Sequence, residues 1–324
     1  MKAQVSPQDV SIPLAETAPS ISVAICTYNR ADRLYLALDA LRHQTLAAER
    51  FDILVVDNAS TDRTPEVCQE FASSLPHLRY VFEPVQGLSK ARNTALQEVK
   101  SSYIAFLDDD AIPCPSWLAS LLHTFQTVRP EPVCVGGLIR PLWELPKPDW
   151  VHPTMETLFT ILDGGDQPRW FRPNEFPWGA NVAYQRDALL KIGGFHEKLG
   201  RRGKSLLSGE EYLLNATLQS QGGGFYYHPE AAIEHWIPKE RIDPNWLVRR
   251  NFWQGRSVAL IENMLGKSRT RQQISSLWRL LLALLDSWKL INPFESALQI
   301  RIPLKMELSL RWGYFVETWL PPST

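Results

Sequence analysis

Three adjacent carboxylates, Asp108-Asp109-Asp110, follow directly on the apolar run Tyr103-Ile-Ala-Phe-Leu107. Like charges this close repel one another unless a cation sits among them. Hard oxygen donors at the end of a strand suit Mg²⁺ or Mn²⁺ bridging a diphosphate. Such a cation takes up the charge that develops on a departing nucleoside diphosphate. The competing reading of the same residues is a solvated acidic turn. A second chemical feature is the segment 140–178, where seven prolines alternate with Trp143, Trp150, Trp170 and Trp178. A long interruption inside a compact domain is usually functional, and its indole faces suit sugar stacking as well as core filling.

The elements that must position these residues read as a strand–helix alternation. Ile21-Ser-Val-Ala-Ile25 is β-branched and ends in Cys26-Thr-Tyr-Asn-Arg30; leucines 34, 38 and 41 then fall at helical spacing. Phe51–Val56 predicts a second strand, stopped by Asp57-Asn-Ala-Ser-Thr-Asp62, with a helix over Pro65–Ser73. A third strand near Leu78–Glu83 leads through Gln86-Gly87 to a helix over Leu88–Val99, and Tyr103–Leu107 is the fourth. This order predicts an α/β fold with a mostly parallel central sheet covered by helices, its site lying beyond the strand C-termini. Further helices are expected near Asp187–Ile192 and Gly209–Gln221, and almost throughout after Trp246. Residues 1–19 read as a flexible lead-in.

Bulk composition excludes several classes. Lys+Arg (34) and Asp+Glu (35) nearly cancel, so no long-range field points to nucleic acid. Cys26, Cys68, Cys114 and Cys134 contain no CxxC pair, which argues against a zinc cage or a disulfide framework. With no apolar signal at the start of the chain, a cytoplasmic location is expected.

Four ordered motifs carry a specific resemblance: Val23-Ala-Ile-Cys-Thr-Tyr-Asn-Arg30, Val55-Val-Asp-Asn-Ala-Ser-Thr-Asp62, Gly87-Leu-Ser-Lys-Ala-Arg-Asn93 and Phe106-Leu-Asp-Asp-Asp-Ala111. Together they resemble the family-2 glycosyltransferases, inverting enzymes of the GT-A fold. The resemblance covers about residues 20–240: a nucleotide half over 20–112, an acceptor half over 113–240, and a helical C-terminal segment from 241 to 324. It implies transfer of a single sugar from a nucleotide sugar, a UDP-sugar in the first instance, to a hydroxyl of a glycan or lipid-linked saccharide. No Gln-x-x-Arg-Trp element of the processive members is present. By resemblance, Thr27, Tyr28, Asn29, Arg30, Asp57, Arg92, Asp108 and Asp109 face the nucleotide. Asp108 and Asp110 end the Asp-x-Asp motif, with Asp110 and His235 as metal ligands alongside Asp108. Gly193-Gly-Phe-His-Glu197 … Ser208-Gly-Glu-Glu-Tyr212 resembles the stretch that supplies the general base. Glu211 stands where the family commonly has Asp, so Glu210 and Glu211 both remain candidates, with Glu211 favoured. Trp178 and Asn181 are implied on the acceptor side; Arg249, Arg250 and Arg256 resemble a basic element that approaches the diphosphate.

A nucleotidyltransferase would need a Gly-rich phosphate loop after the first strand, and Cys26-Thr-Tyr-Asn-Arg30 is not one. A non-catalytic sugar- or nucleotide-binding protein on this fold would be expected to have lost the acidic cluster or the base. The tail leaves two readings open. Residues 274–291 are apolar but carry Arg279, Asp286 and Lys289, too polar for a span of about 20 residues. The segment either packs on the catalytic domain or lies in a membrane interface, with Trp278 and Trp288 at headgroup level and the aromatic stretch Leu308–Leu320 beside it.

Overall fold

In the computed structural model, residues 20–286 and 298–320 are described; the lead-in at 1–19, and with it Trp288 and Lys289 of the tail, lie outside them. The expected alternation is present. Strands β1 (Ile21–Thr27), β2 (Phe51–Asp57), β3 (Leu78–Phe82) and β4 (Tyr103–Leu107) alternate with helices α1 (Ala31–Leu41), α2 (Thr64–Phe71) and α3 (Leu88–Glu98). There follow β5 (Ala111–Pro113), α4 (Trp117–Thr127), β6 (Cys134–Trp143), β7 (Arg169–Trp170), β8 (Asn181–Gln185), α5 (Arg186–Lys191), α6 (Glu210–Ser220) and β9 (Phe225–Ile237). Among the described residues after β9 the α-helices are α7 (Pro244–Met264), α8 (Arg269–Asp286) and α9 (Leu298–Trp319).

Among the described residues the sheet order is β3-β2-β1-β4-β8-β6-β9-β5, with β7 on β9. Parallel pairing runs through β3, β2, β1 and β4, as the sequence predicts. Beyond β4 the sheet is mixed: β8 is antiparallel to β4 and β6, β6 is parallel to β9, and β5 and β7 are antiparallel to β9. Both faces are covered, and alternation along β1 shows why. Ile21, Val23 and Ile25 pack with Leu34, Leu38, Trp117 and Phe125 on one side. Ala24, with Leu54, Ala95, Leu214 and Leu218, packs on the other.

The Pro/Trp segment is less of a loop than its composition suggests. β6 runs on to Trp143, and a 3₁₀ turn over Pro153–Phe159 packs into a third apolar cluster with Ile237, Leu247 and Ile302. Trp143 and Trp150 pack against that cluster rather than presenting free faces.

Asp243 caps α7 by accepting from Asn245 N, and Pro244 takes the first helical position. α7 and α9 cross with their backbones in contact. A Cβ on Gly255 would lie 1.9 Å from the Leu310 carbonyl oxygen, and one on Gly313 would lie 1.9 Å from that of Phe252. α8 is turned the opposite way from an ordinary surface helix. Its small and polar residues Gln272, Ser276 and Ala283 are buried, while Ile274, Leu277, Trp278, Leu281, Leu282 and Leu285 are exposed. The inner face is held by polar bonds: Gln272 Nε2 donates to Ala259 O at 2.9 Å and Trp319 Nε1 to Ser276 Oγ at 3.0 Å. No described helix is long and apolar enough to cross a membrane.

The glycine crossing gives a test of how the C-terminal helices are held. Gly255→Val forces side-chain carbon into the Leu310 carbonyl, and overpacking of this kind costs roughly 1–3 kcal/mol. A lowered denaturation midpoint is expected; an unchanged one would mean that α7 and α9 do not meet this closely.

Candidate active site

Parallel strands deliver their C-terminal residues to one edge. The register pairs Thr27 with Asp57 and places Leu107, hence Asp108, on the same edge. There Thr27 and Asp108 line a cleft of about 1240 Å³ together with Tyr28, Arg30, Asn58, Arg92, Trp178, Glu210 and Glu211.

The three aspartates separate into different roles. Asp109 is turned inward, accepting from Thr27 Oγ1 at 2.8 Å and pairing with Arg30 Nη1 at 3.2 Å. Burial pushes its carboxyl up to about 6, against the pull of Arg30 and with Asp110 adding to the rise. Asp110 is sealed between two guanidiniums and an imidazole: Arg30, Arg241 Nη2 at 3.6 Å and His235 Nε2 at 3.3 Å. Burial alone would raise it, but His235 and the two guanidiniums hold it well below the usual carboxylate range. Asp108 stays partly open to the cleft, 3.6 Å from Arg92 Nη2. His235 arrives from far along the chain because β5 pairs antiparallel with β9, setting Ala111 opposite His235. Donor atoms of Asp108, Asp110 and His235 all lie within 4.8 Å of one another. Two carboxylates and an imidazole form a donor set that fits a Mn²⁺- or Mg²⁺-sized cation.

Arg92, on α3, joins this cluster to the expected base. Its side chain is 3% exposed, and Nη1 donates to Glu210 Oε1 at 3.0 Å and Glu211 Oε1 at 2.8 Å. Burial works to lower its pKa, yet Glu211, Glu210 and Asp108 together raise it well above the usual value. Phe106 and Phe195 lie within 6 Å of the guanidinium carbon. The two glutamates open the first turn of α6, whose N-cap Gly209 is left-handed (φ 87°). Glu210 is sealed and its Oε2 has no partner; Glu211 keeps 23% of its side chain exposed. Burial would raise Glu211, but the charge of Arg92 and hydrogen bonds hold it below the ordinary range. Burial, reinforced by Glu211, raises Glu210 to about 8 against the pull of Arg92.

Residues 22–193 match the description "Glycosyl transferase family 2". The chain belongs to that family. It is similar to a glucosyl-dolichyl phosphate glucuronosyltransferase of Haloferax volcanii, 26% identical over 75% of this chain and 77% of that one. It is also similar to a succinoglycan biosynthesis protein of Rhizobium meliloti, 26% identical over 73% of each. Among solved structures, a mannosyltransferase of Pyrobaculum calidifontis in complex with GDP-Man and Mn²⁺ superposes with TM-score 0.61 at 20% identity, over 94% of this chain and 88% of that one. The GT-A fold expected from the motifs is therefore the fold observed, and the chain is a family-2 glycosyltransferase.

Several expected residues of the glycosyltransferase site sit elsewhere. Asp57 is buried and its oxygens accept from Ser60 N at 2.8 Å and Tyr80 OH at 2.7 Å, so Asn58 is the residue of that loop that lines the cleft. Asn29 (φ 52°) fastens its own loop through Thr61 N at 2.7 Å and does not line the cleft. Asn181 is fully buried: it accepts from Trp117 Nε1 at 2.8 Å and donates to the Leu138 and Ala231 carbonyls at 3.1 and 2.8 Å. It pins the core and cannot reach an acceptor. Of the three tail arginines, Arg249 faces solvent and Arg256 pairs with Glu317 at 2.6 Å, leaving Arg250 in the cleft.

Sequence reasoning missed Arg201, Arg241 and Gly179. A Cβ on Gly179 would lie 2.1 Å from Glu211 Oε1 and 2.7 Å from Arg92 Nη2, so the chain passes beside Glu211 only because glycine is there. The neighbouring Trp178 signalled this segment; no local pattern signalled the arginines.

Glu210 makes stability depend on pH with a definite sign. A carboxyl whose folded pKa exceeds its unfolded value binds more protons folded than unfolded. Its contribution is present at low pH and is lost as pH rises through about 8. Glu210→Gln removes the ionisation, so the melting temperature of the variant should gain on that of the native chain as pH is raised from about 5 to about 8. A difference that does not change with pH would place the raised pKa elsewhere.

Proposed function

We propose that this chain transfers one sugar, with inversion, from a UDP-type nucleotide sugar to a hydroxyl of a glycan or lipid-linked saccharide, with Glu211 as general base. The observation that carries the reading is the pair Glu210–Glu211 on Arg92: Glu210 is sealed, whereas Glu211 is ionised, oriented and open to the cleft. The acceptor oxygen bonds to the anomeric carbon as the bond from that carbon to the diphosphate breaks. Glu211 accepts the hydroxyl proton and the nucleoside diphosphate departs. Asp108, Asp110 and His235 are the residues to hold Mg²⁺ or Mn²⁺, which supplies positive charge for the leaving diphosphate. Tyr28 and Arg30 line the nucleotide side of the same cleft, and Trp178, 38% exposed, offers its indole to a sugar. Arg92 keeps Glu211 ionised without itself meeting the proton.

Nucleotide release from a panel of nucleotide sugars, with and without EDTA, tests the assignment. Turnover that is lost in EDTA is expected. Glu211→Gln should lower turnover by roughly 10²-fold or more with nucleotide affinity unchanged, because Gln keeps the shape but accepts no proton. A Glu211→Gln enzyme running at the native rate would move the base elsewhere.

Peripheral contact with a membrane is part of the same reading. The outward apolar stripe of α8 follows the spacing 274, 277, 278, 281, 282, 285, one face of a helix. The stacked Trp312, Phe315 and Trp319 lie on α9, which packs against α8. Arg271 stands exposed at the start of α8, suited to anionic headgroups. Flotation with anionic liposomes should carry the full chain upward, and Leu281→Ser with Leu285→Ser should leave it at the bottom. A chain that never floats at low salt would make the stripe a protein contact.

A further inference from the structure

One end of the cleft collects three guanidiniums. Arg201 precedes α6, Arg241 follows β9 and Arg250 lies on α7, and all three line the cleft. Arg241 has Asp110 at 3.6 Å, but that carboxylate is already shared with Arg30 and His235. Arg250 donates through Nη2 to Ser208 Oγ at 3.0 Å, while its Nη1 is sealed from solvent and has no hydrogen-bond partner. Burial, and then the charge of Arg201, lower Arg250 to about 10. Guanidiniums that crowd one another in this way are relieved by an anion set between them, and phosphate suits their planar donors.

The wall beside them is apolar. Val258 and Ile261, further along α7 than Arg250, Leu265 at its C-terminal cap and Leu310 from α9 line the same cleft. Leu265, 55% exposed, stands where α7 gives way to the turn into α8. Ser208, the partner of Arg250, is two residues before Glu210, so a group bound by Arg250 lies on the acceptor side, next to the base.

We propose that this end of the cleft takes the acceptor as an amphiphile: a phosphate held by Arg201, Arg241 and Arg250, and a hydrocarbon tail laid against Val258, Ile261, Leu265 and Leu310. The inference rests on the glycosyl-transfer reading above and narrows its acceptor to a lipid-linked saccharide phosphate. The sugar borne on that phosphate presents its hydroxyl to Glu211. The tail leaves the cleft at Leu265, at the turn into α8 with its outward apolar face.

The phosphate recognised here could instead be the donor's, and the experiment separates the two sources. Farnesyl phosphate, farnesol and inorganic phosphate are titrated against the full chain by tryptophan fluorescence, with and without Mn²⁺ and saturating UDP or GDP, whichever binds better. Farnesyl phosphate should bind roughly tenfold tighter than either half alone, with the nucleotide present. Arg250→Gln should weaken it about tenfold while nucleotide affinity stays within about twofold. Arg201→Gln, on an exposed residue, should show the same pattern should the buried variant fail to fold. Leu265→Ser should weaken farnesyl phosphate and leave inorganic phosphate unchanged. Displacement of farnesyl phosphate by the nucleotide, with nucleotide affinity lost in Arg250→Gln, would assign the cluster to the donor and overturn the proposal. Farnesyl phosphate binding no tighter than inorganic phosphate would overturn it too. Failure of the glycosyl-transfer reading is visible separately, as no binding of either nucleotide with Mn²⁺ and no nucleotide release from any nucleotide sugar.

Discussion

A single buried guanidinium, Arg92, holds the chemical parts of the cleft in one arrangement. It reaches Asp108 at the end of β4 and both glutamates at the start of α6, elements separated by about a hundred residues of chain. Loss of one partner from a buried ion pair costs on the order of 3–5 kcal/mol, so the geometry of this group is strongly enforced. Three carboxylates around one cation cannot all be ionised comfortably. The burden falls on Glu210, which is sealed, and leaves Glu211 charged. The environment thus divides two chemically identical neighbours into a proton-holding acid and an ionised one.

Much of the remaining architecture serves that arrangement. Gly179 gives up its side chain so that backbone can pass beside Glu211 and Arg92. Phe106 and Phe195 place aromatic rings near the guanidinium. The pairing of β5 with β9 brings His235 to Asp110, and the 3₁₀ segment following β9 brings Arg241. The second half of the sheet is mixed for the same reason: β8, β6 and β9 return through the core beside β4 to build a second wall around the strand ends.

The C-terminal helices extend the cleft rather than standing apart from it. α7 supplies Arg250, Gln254 and Ile261 to its lining, and the glycine crossing with α9 fixes where they stand. α8 is bound by its polar side, which inverts the usual rule that a surface helix buries its apolar stripe. Gln272 and Ser276 find backbone and indole partners inside, so the polar face is satisfied and the leucines are free to face outward.

The sequence by itself determined the family, the four parallel strands and the residues at their ends, because those signals are local: β-branched runs, helical leucine spacing and acids that break a strand. It also marked Glu210, Glu211 and His235, through resemblance to positions of that family. What it left open was decided by tertiary packing. Asn181 reads like a ligand contact in one dimension, yet in three it is fully buried, with both amide donors and its oxygen engaged by Leu138, Ala231 and Trp117. Asp57 is likewise claimed by Tyr80, and Arg256 by Glu317. Arg201 and Arg241 carry no local pattern, since their meaning lies in converging on one cleft from distant segments. The direction of α8 was undecidable from its own residues: periodicity shows that a helix has an apolar stripe, but only the neighbours that bond its polar side fix which way the stripe faces.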